Sequence, residues 1–218
     1  MNLFDCTDPQ TWGPALDEAV NAIGRGALIV LPTDTVYGIG TDAFSGAGVE
    51  ALLAAKGRSR QSPPPVLVPD HRTLAALTVE TPPAVQTLAE KFWPGALTII
   101  CQAQPALTWD LGETHGTVAV RMPNHPAALA LLRRTGPLAV SSANITGAAP
   151  ARTAAAAQAQ LGESVAVYLD AGDAPGGVPS TIIDATGPEL TVLRAGALTL
   201  EELQEVVPEI KPKPEPPA

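Results

Sequence analysis

The run Ala27-Leu28-Ile29-Val30-Leu31 carries no polar side chain. A short, continuous apolar run is the signature of a strand buried on both faces, and such a strand needs a covering layer on each side. Residues 13–23 have the pattern of an amphipathic helix. Pro14 lies in the first turn, Ala15, Leu16, Ala19, Val20 and Ile23 recur with helical period, and Gly24 is the stop. Further helices are predicted near residues 48–55, 71–77, 83–92, 126–134, 153–161 and 198–206. Further strands are predicted at 66–68, 96–101, 117–122, 138–140, 165–169, 180–183 and 190–194. This alternation defines an α/β domain. Several strands follow one another without a crossover helix, so the sheet is expected to be mixed.

With 218 residues, 45% hydrophobic and 16% charged, the chain can bury a real core. Aromatics are 4%, so aliphatic side chains fill most of it. Residues 1–207 are expected to form one domain, with 208–218 a disordered proline-rich tail. Cys6 and Cys101 make no disulfide framework, no Cys-x-x-Cys occurs, and His71, His115 and His125 are too scattered for a structural zinc site. There is no signal-peptide pattern at the N-terminus and no run near the roughly 18 apolar residues of a membrane helix. The chain therefore reads as soluble and cytoplasmic.

Positive charge is scarce and unevenly placed. The formal net charge is −9, with 13 Lys and Arg in all, yet Lys56-Gly57-Arg58-Ser59-Arg60 holds three cations in five residues. A helix end accounts for such a cluster in one way: Gly57 suits the left-handed residue past the last turn, and cations complement the dipole. An anion held by several donors accounts for it in another. In an extended segment Arg58 and Arg60 would point the same way. The acidic balance argues against non-specific duplex binding but allows a local basic pocket for an anionic small molecule.

Four polar segments lie at the ends of apolar strand-like runs: residues 33–37, 121–124, 141–144 and 194–196. Ligands gather outside strand ends in α/β sheets, so the four are candidates to converge on one crevice. Singly, each has a structural explanation. Thr33 and Asp34 suit a turn, Ser142 and Asn144 suit a cap, Arg121 and Arg194 suit surface ion pairs, and His125 before Pro126 suits a loop or cap. Together, Lys and Arg supply charge for phosphates while Ser, Asn and Thr supply directional bonds. No Walker-type loop, Gly-x-Ser-x-Gly elbow or metal-binding histidine pair is present. The pattern is that of a phosphate-ligand site without an evident covalent nucleophile.

The residues also carry a resemblance. Pro32-Thr33-Asp34-Thr35-Val36-Tyr37-Gly38-Ile39-Gly40 is similar to the PT(D/E)TVYGLG signature of the YrdC family of threonylcarbamoyl-AMP synthases. Lys56-Gly57-Arg58 resembles that family's KxR motif and Ser142-Ala143-Asn144 its SxN motif. The segments 120–123, 179–184 and 192–196 resemble three more, in the same order. The resemblance spans about residues 13–196. It implies a single-domain YrdC-like α/β fold, a twisted mixed β-sheet flanked by helices with a concave, positively charged cavity. It also implies an enzyme that makes threonylcarbamoyl-AMP and pyrophosphate from L-threonine, bicarbonate or CO2, and ATP with Mg2+. The product would pass to the tRNA threonylcarbamoyl-transferase machinery, with weak RNA binding as a possible side property and no membrane partner.

By motif, Lys56, Arg58, Ser142 and Asn144 would be the catalytic set. These four would hold ATP with Arg194, Thr117 and Arg60, while Thr33, Arg121, Ser141 and Ser180 would hold threonine. The resemblance assigns no general base and no protein metal ligand. Two rivals are a non-catalytic RNA-binding module and a carbamoyl-transfer domain of the hydrogenase-maturation type. The chain departs from the family pattern in three places. Ser59 stands where KxRP has proline, Pro65-Val66-Leu67-Val68 lacks the family's following histidine, and the chain ends soon after Arg194, as in the short, single-domain type.

Overall fold

A ten-stranded mixed sheet organises the computed structural model, which describes residues 3–212. In chain order the elements are β1 (Leu3–Asp5), α1 (Gly13–Gly24), β2 (Ile29–Leu31), β3 (Gly38–Asp42), α2 (Gly46–Lys56), β4 (Val66–Leu67), α3 (His71–Leu77), α4 (Pro83–Phe92), β5 (Leu97–Gln102), β6 (Thr117–Arg121), α5 (Pro126–Thr135), β7 (Leu138–Ser142), α6 (Ala154–Leu161), β8 (Val167–Asp170), β9 (Thr181–Asp184), β10 (Thr191–Arg194) and α7 (Leu200–Gln204). The strand order is β1-β8-β2-β3-β7-β4-β6-β5-β9-β10. Strand β8 pairs in parallel with β1 and β2, β4 with β6, and β5 with β9, while the remaining neighbours are antiparallel. This is the expected mixed α/β architecture.

The apolar run at β2 behaves as its composition requires. Ile29 and Leu31 pack with Leu16, Ala19 and Ile23 of α1 and Leu131 and Leu132 of α5. Leu28 and Val30 face the opposite layer, against Leu52 of α2 and Ala154, Ala157 and Leu161 of α6. Ile29, Val30 and Leu31 are wholly buried, worth about 1.5–3 kcal/mol per side chain. A third cluster, built on α3, α4, β5 and β6, fills the other half of the sheet.

Two strands have no sequence signal of their own. β1 is a three-residue edge strand, fastened to β8. β3 reads Gly-Ile-Gly-Thr-Asp, and glycine weakens a strand in isolation. Here glycine is required by packing: a Cβ at Gly38 or Gly40 would lie 2.6 Å or 2.8 Å from a methyl of Val140 on the neighbouring β7.

The proposed tail boundary also moves. Ile210 is 1% exposed and joins the third cluster, and Lys211 exchanges backbone hydrogen bonds with Leu190 and Val192. Residues 208–211 thus pack on the domain; the rest of that segment, from 213, lies outside the described residues. No helix among the described residues is long and apolar enough to cross a membrane.

Candidate active site

The helix-end reading of the basic pentapeptide is correct for its backbone. Ser45 caps the start of α2, accepting from Gly48 N. At the other end Gly57 adopts φ 64°, ψ 36°, the left-handed conformation that glycine takes without penalty. Gly57 N donates to Ala54 O and Arg58 N to Leu53 O at 2.8 Å, so the helix terminus fixes where Arg58 leaves the chain. The segment beyond is a turn, with Ser62 N on Ser59 O, and not extended. Arg58 and Arg60 therefore diverge. Arg58 turns inward to Ser141 Oγ at 3.1 Å and Thr146 Oγ1 at 3.3 Å. Arg60 turns outward and pairs with Asp110 at 2.6 Å on an exposed surface, away from the cavity wall. Its expected place in the ATP site is not supported by this geometry.

A cavity of about 290 Å3 opens where the polar strand ends meet. That volume suits a small molecule. Thr33, Arg58, Thr117, Arg121, Ser141, Ser142, Ser180 and Arg194 line it, together with the Pro63–Pro65 wall. Among the described residues, the lining includes no Asp, Glu, His or Cys. The four segments do converge: residues after β2 and at the ends of β6, β7 and β10 line the same cavity.

Lys56 and Asn144 are placed differently from the expectation. Both lie behind the lining. The Lys56 ammonium is fully buried and donates to the carbonyls of Ser142 and Asn144, the latter at 2.7 Å. Burial and the nearby Arg58 charge push its pKa down to about 8. Asn144 Nδ2 donates to Ile145 O and Ala148 O, both at 2.9 Å, and its buried Oδ1 has no hydrogen-bond partner among the described residues. The two side chains hold the 142–148 loop in shape beneath the cavity.

The three cavity arginines differ in what balances them. Arg121 is 7% exposed and held on three sides: Nε donates to Gly95 O at 2.9 Å, Nη1 to Thr35 Oγ1 at 2.9 Å and Nη2 to Asp34 Oδ1 at 2.7 Å. Asp34 Oδ1 also accepts from Asn124 N. Arg194 instead grips Ser180, with Nε and Nη2 on its carbonyl and Nη2 on its hydroxyl. Arg58 rests on hydroxyls. Burial lowers the Arg194 pKa, and repulsion from Arg121 and Arg58 lowers it further. Burial likewise lowers that of Arg121, against the pull of Asp34.

Hydroxyls complete the wall. Thr33 Oγ1 donates to Val36 O at 2.6 Å and accepts from Thr35 N, which tightens the 33–36 turn. Thr117 Oγ1 donates to Thr114 O. Sequence reasoning gave no role to Thr35, to Thr98, or to Asp34 beyond a turn. Thr35 and Asp34 lay inside a segment already singled out; Thr98 sits in a strand that reads as apolar core. His125 stands at the start of α5 with its Nδ1 buried and unpartnered among the described residues, and burial lowers its pKa.

Mixed α/β proteins with a cavity at the strand ends, lined by arginine and hydroxyl groups, form a class suited to anionic small molecules. The profile of the Sua5/YciO/YrdC family, whose description is "Telomere recombination", matches residues 21–196. The chain belongs to that family. It is 50% identical over 204 residues to a protein of Mycobacterium tuberculosis provisionally named threonylcarbamoyl-AMP synthase, covering 94% of each chain. It is 36% identical over 206 residues to the threonylcarbamoyl-AMP synthase of Bacillus subtilis, covering 93% of this chain and 60% of that one. The crystal structure of Pyrococcus abyssi Sua5 complexed with L-threonine is similar with a TM-score of 0.93 at 32% identity, over 98% of this chain and 63% of that one.

Proposed function

We propose that this protein is an L-threonylcarbamoyladenylate synthase, a nucleotidyltransferase that forms threonylcarbamoyl-AMP and pyrophosphate from L-threonine, bicarbonate or CO2, and ATP. The observation that carries the reading is the pair Arg58 and Arg194. Both face the cavity and both rest on neutral groups, whereas Arg121 is matched by Asp34. Two guanidinium charges without a carboxylate make a cavity that favours a polyanion such as the triphosphate. The names of the relatives support the chemistry, and the threonine bound in the Pyrococcus structure supports an amino-acid subsite.

The reaction follows from positioning. The amine of threonine adds to the carbon of CO2 with release of a proton, or to that of bicarbonate with loss of water, giving a carbamate. A carbamate oxygen then attacks the α-phosphorus in line, and pyrophosphate leaves. Such transfer needs alignment and neutralisation of charge more than covalent help from the protein. Arg58, Ser142 and Arg194 hold the nucleotide, with Thr117 at the rim. Arg121, Thr33, Ser141 and Ser180 hold threonine, the guanidinium taking its carboxylate. Lys56 and Asn144 act from beneath, by shaping the loop that presents Ser142. Mg2+ would enter with the nucleotide, since among the described residues the lining offers it no carboxylate. The product would pass directly to the machinery that modifies the tRNA adenosine next to the anticodon, a role that fits a cytoplasmic protein.

Pyrophosphate release from ATP is expected to require both threonine and bicarbonate. Arg58→Ala should lower it by about 10²- to 10³-fold, the usual cost of one lost charge-stabilising donor. Release that ignores threonine, or survives in Arg58→Ala, refutes the reading.

A further inference from the structure

Thr98 lies on β5, 1% exposed, with its hydroxyl 2.8 Å from Ser180 Oγ. Ser180 in turn accepts from Arg194 Nη2 through that same oxygen at 3.1 Å and through its carbonyl at 2.7 Å. The three residues form one hydrogen-bonded row across β5, the entry to β9 and the end of β10. Thr98 and Ser180 both line the cavity, but Thr98 is 1% exposed and offers it almost no surface, against 6% for Ser180.

The direction of the Thr98–Ser180 bond decides what Ser180 can do. A hydroxyl has one hydrogen and two acceptor positions. If Ser180 donated to Thr98, the Thr98 hydrogen would need an acceptor of its own, and its hydroxyl makes no other hydrogen bond among the described residues. A buried donor left unpaired is costly. If Thr98 donates, its hydrogen is satisfied, and Ser180 Oγ accepts twice, from Thr98 and from Arg194. The Ser180 hydrogen is then left to the cavity.

We infer that Thr98 is a positioning residue which fills the acceptor side of Ser180 and so commits that hydroxyl to donate to the carboxylate of the amino-acid substrate. Ser180 thereby becomes a directed donor in the cavity that Arg121 also lines. The inference rests on the proposed synthase reading. It assigns no proton transfer to Thr98, which acts on the substrate through Ser180.

The test compares Thr98→Val, which keeps the shape and removes the hydroxyl, with Thr98→Ser, which keeps the hydroxyl. Threonine-dependent pyrophosphate release and calorimetric titration with L-threonine are the two readouts. Thr98→Val is expected to raise the KM and Kd for threonine by about tenfold, the scale of one hydrogen bond to a charged group, with the KM for ATP changed far less. Thr98→Ser recovers most of the loss. In a Ser180→Ala background, Thr98→Val adds little, because the two act through one bond. Equal losses for threonine and ATP, a Thr98→Ser variant as impaired as Thr98→Val, or full additivity with Ser180→Ala overturns the inference. If Thr98→Val does not fold, Thr98→Ala carries the same comparison. Wild-type release that does not depend on threonine refutes the synthase reading instead, and calorimetry with the amino acid still distinguishes the two.

Discussion

Lys56 is a charge placed where burial opposes it, and two backbone carbonyls hold it there. Its pKa of about 8, against an ordinary 10.5, has two consequences of opposite sign. Between these values the unfolded chain binds the proton more readily than the folded one, so the contribution of Lys56 to stability rises with pH. Over the same range the site loses a positive charge beneath the proposed phosphate subsite. Threonine-dependent pyrophosphate release should therefore fall as pH passes about 8 while thermal stability does not fall with it. A rate that stays flat up to the ordinary lysine range would show that this charge does not matter to the reaction.

Arg60 makes the contrasting case. It shares the pentapeptide with Lys56 and Arg58, but its ion pair with Asp110 is solvent-exposed, and such pairs contribute little. Arg60→Ala is expected to keep pyrophosphate release within about threefold of wild type, a modest change for a charge outside the cavity. A loss as large as that of Arg58→Ala would return Arg60 to the ATP site. Sequence placed three cations together and could not separate them. Their side chains part because the turn after Gly57 redirects the chain, and a turn direction depends on what the loop packs against.

At the level of elements, β3 shows how a strand can be specified from outside itself. Its glycines are there for Val140, whose methyls occupy the space a Cβ would take. Gly38→Ala should destabilise the protein by about 1–3 kcal/mol in chemical denaturation, as overpacking does. Adding Val140→Ala should recover part of that loss, since it frees the occupied space. Additive losses in the double variant would exclude the proposed contact. The helices were more legible, because amphipathic period and terminal signals act within one segment; α3 and α4 fall at the residues the pattern predicts. The final helix is shorter than its apolar pattern. The capping box of Thr199 and Glu202 starts it after Leu198, and Val206 packs beyond its last turn.

Across the whole molecule, the sheet closes its far edge with chain that composition assigned to a tail. Ile210 inserts into the cluster shared with Leu203 and Val207, and Lys211 bridges to Thr191 beside it. Ile210→Ala should cost about 2–4 kcal/mol, the range for truncating a buried aliphatic side chain. A melting temperature unchanged by that substitution would restore the boundary at 207. Proline and charge dominate the composition after 207, and one isoleucine does not alter such an average, yet that isoleucine and the backbone bonds of Lys211 hold the segment to the domain.

The sequence alone determined the layered α/β plan, because a wholly apolar run such as 27–31 can be stable only between two covers. It also determined which side chains were available for an anion site: Arg121, Arg194 and Ser142 stand out by type and by their places at strand ends, Arg58 by the cation cluster past a helix, and Ser180 by the family resemblance. Tertiary structure decided which of them share a cavity and what each faces. Lys56 went beneath the site, Arg60 went outside it, Arg121 acquired Asp34, and Thr98 came against Ser180. Those outcomes depend on contacts between residues as much as 88 positions apart, and no local pattern of charge or period records a contact of that kind.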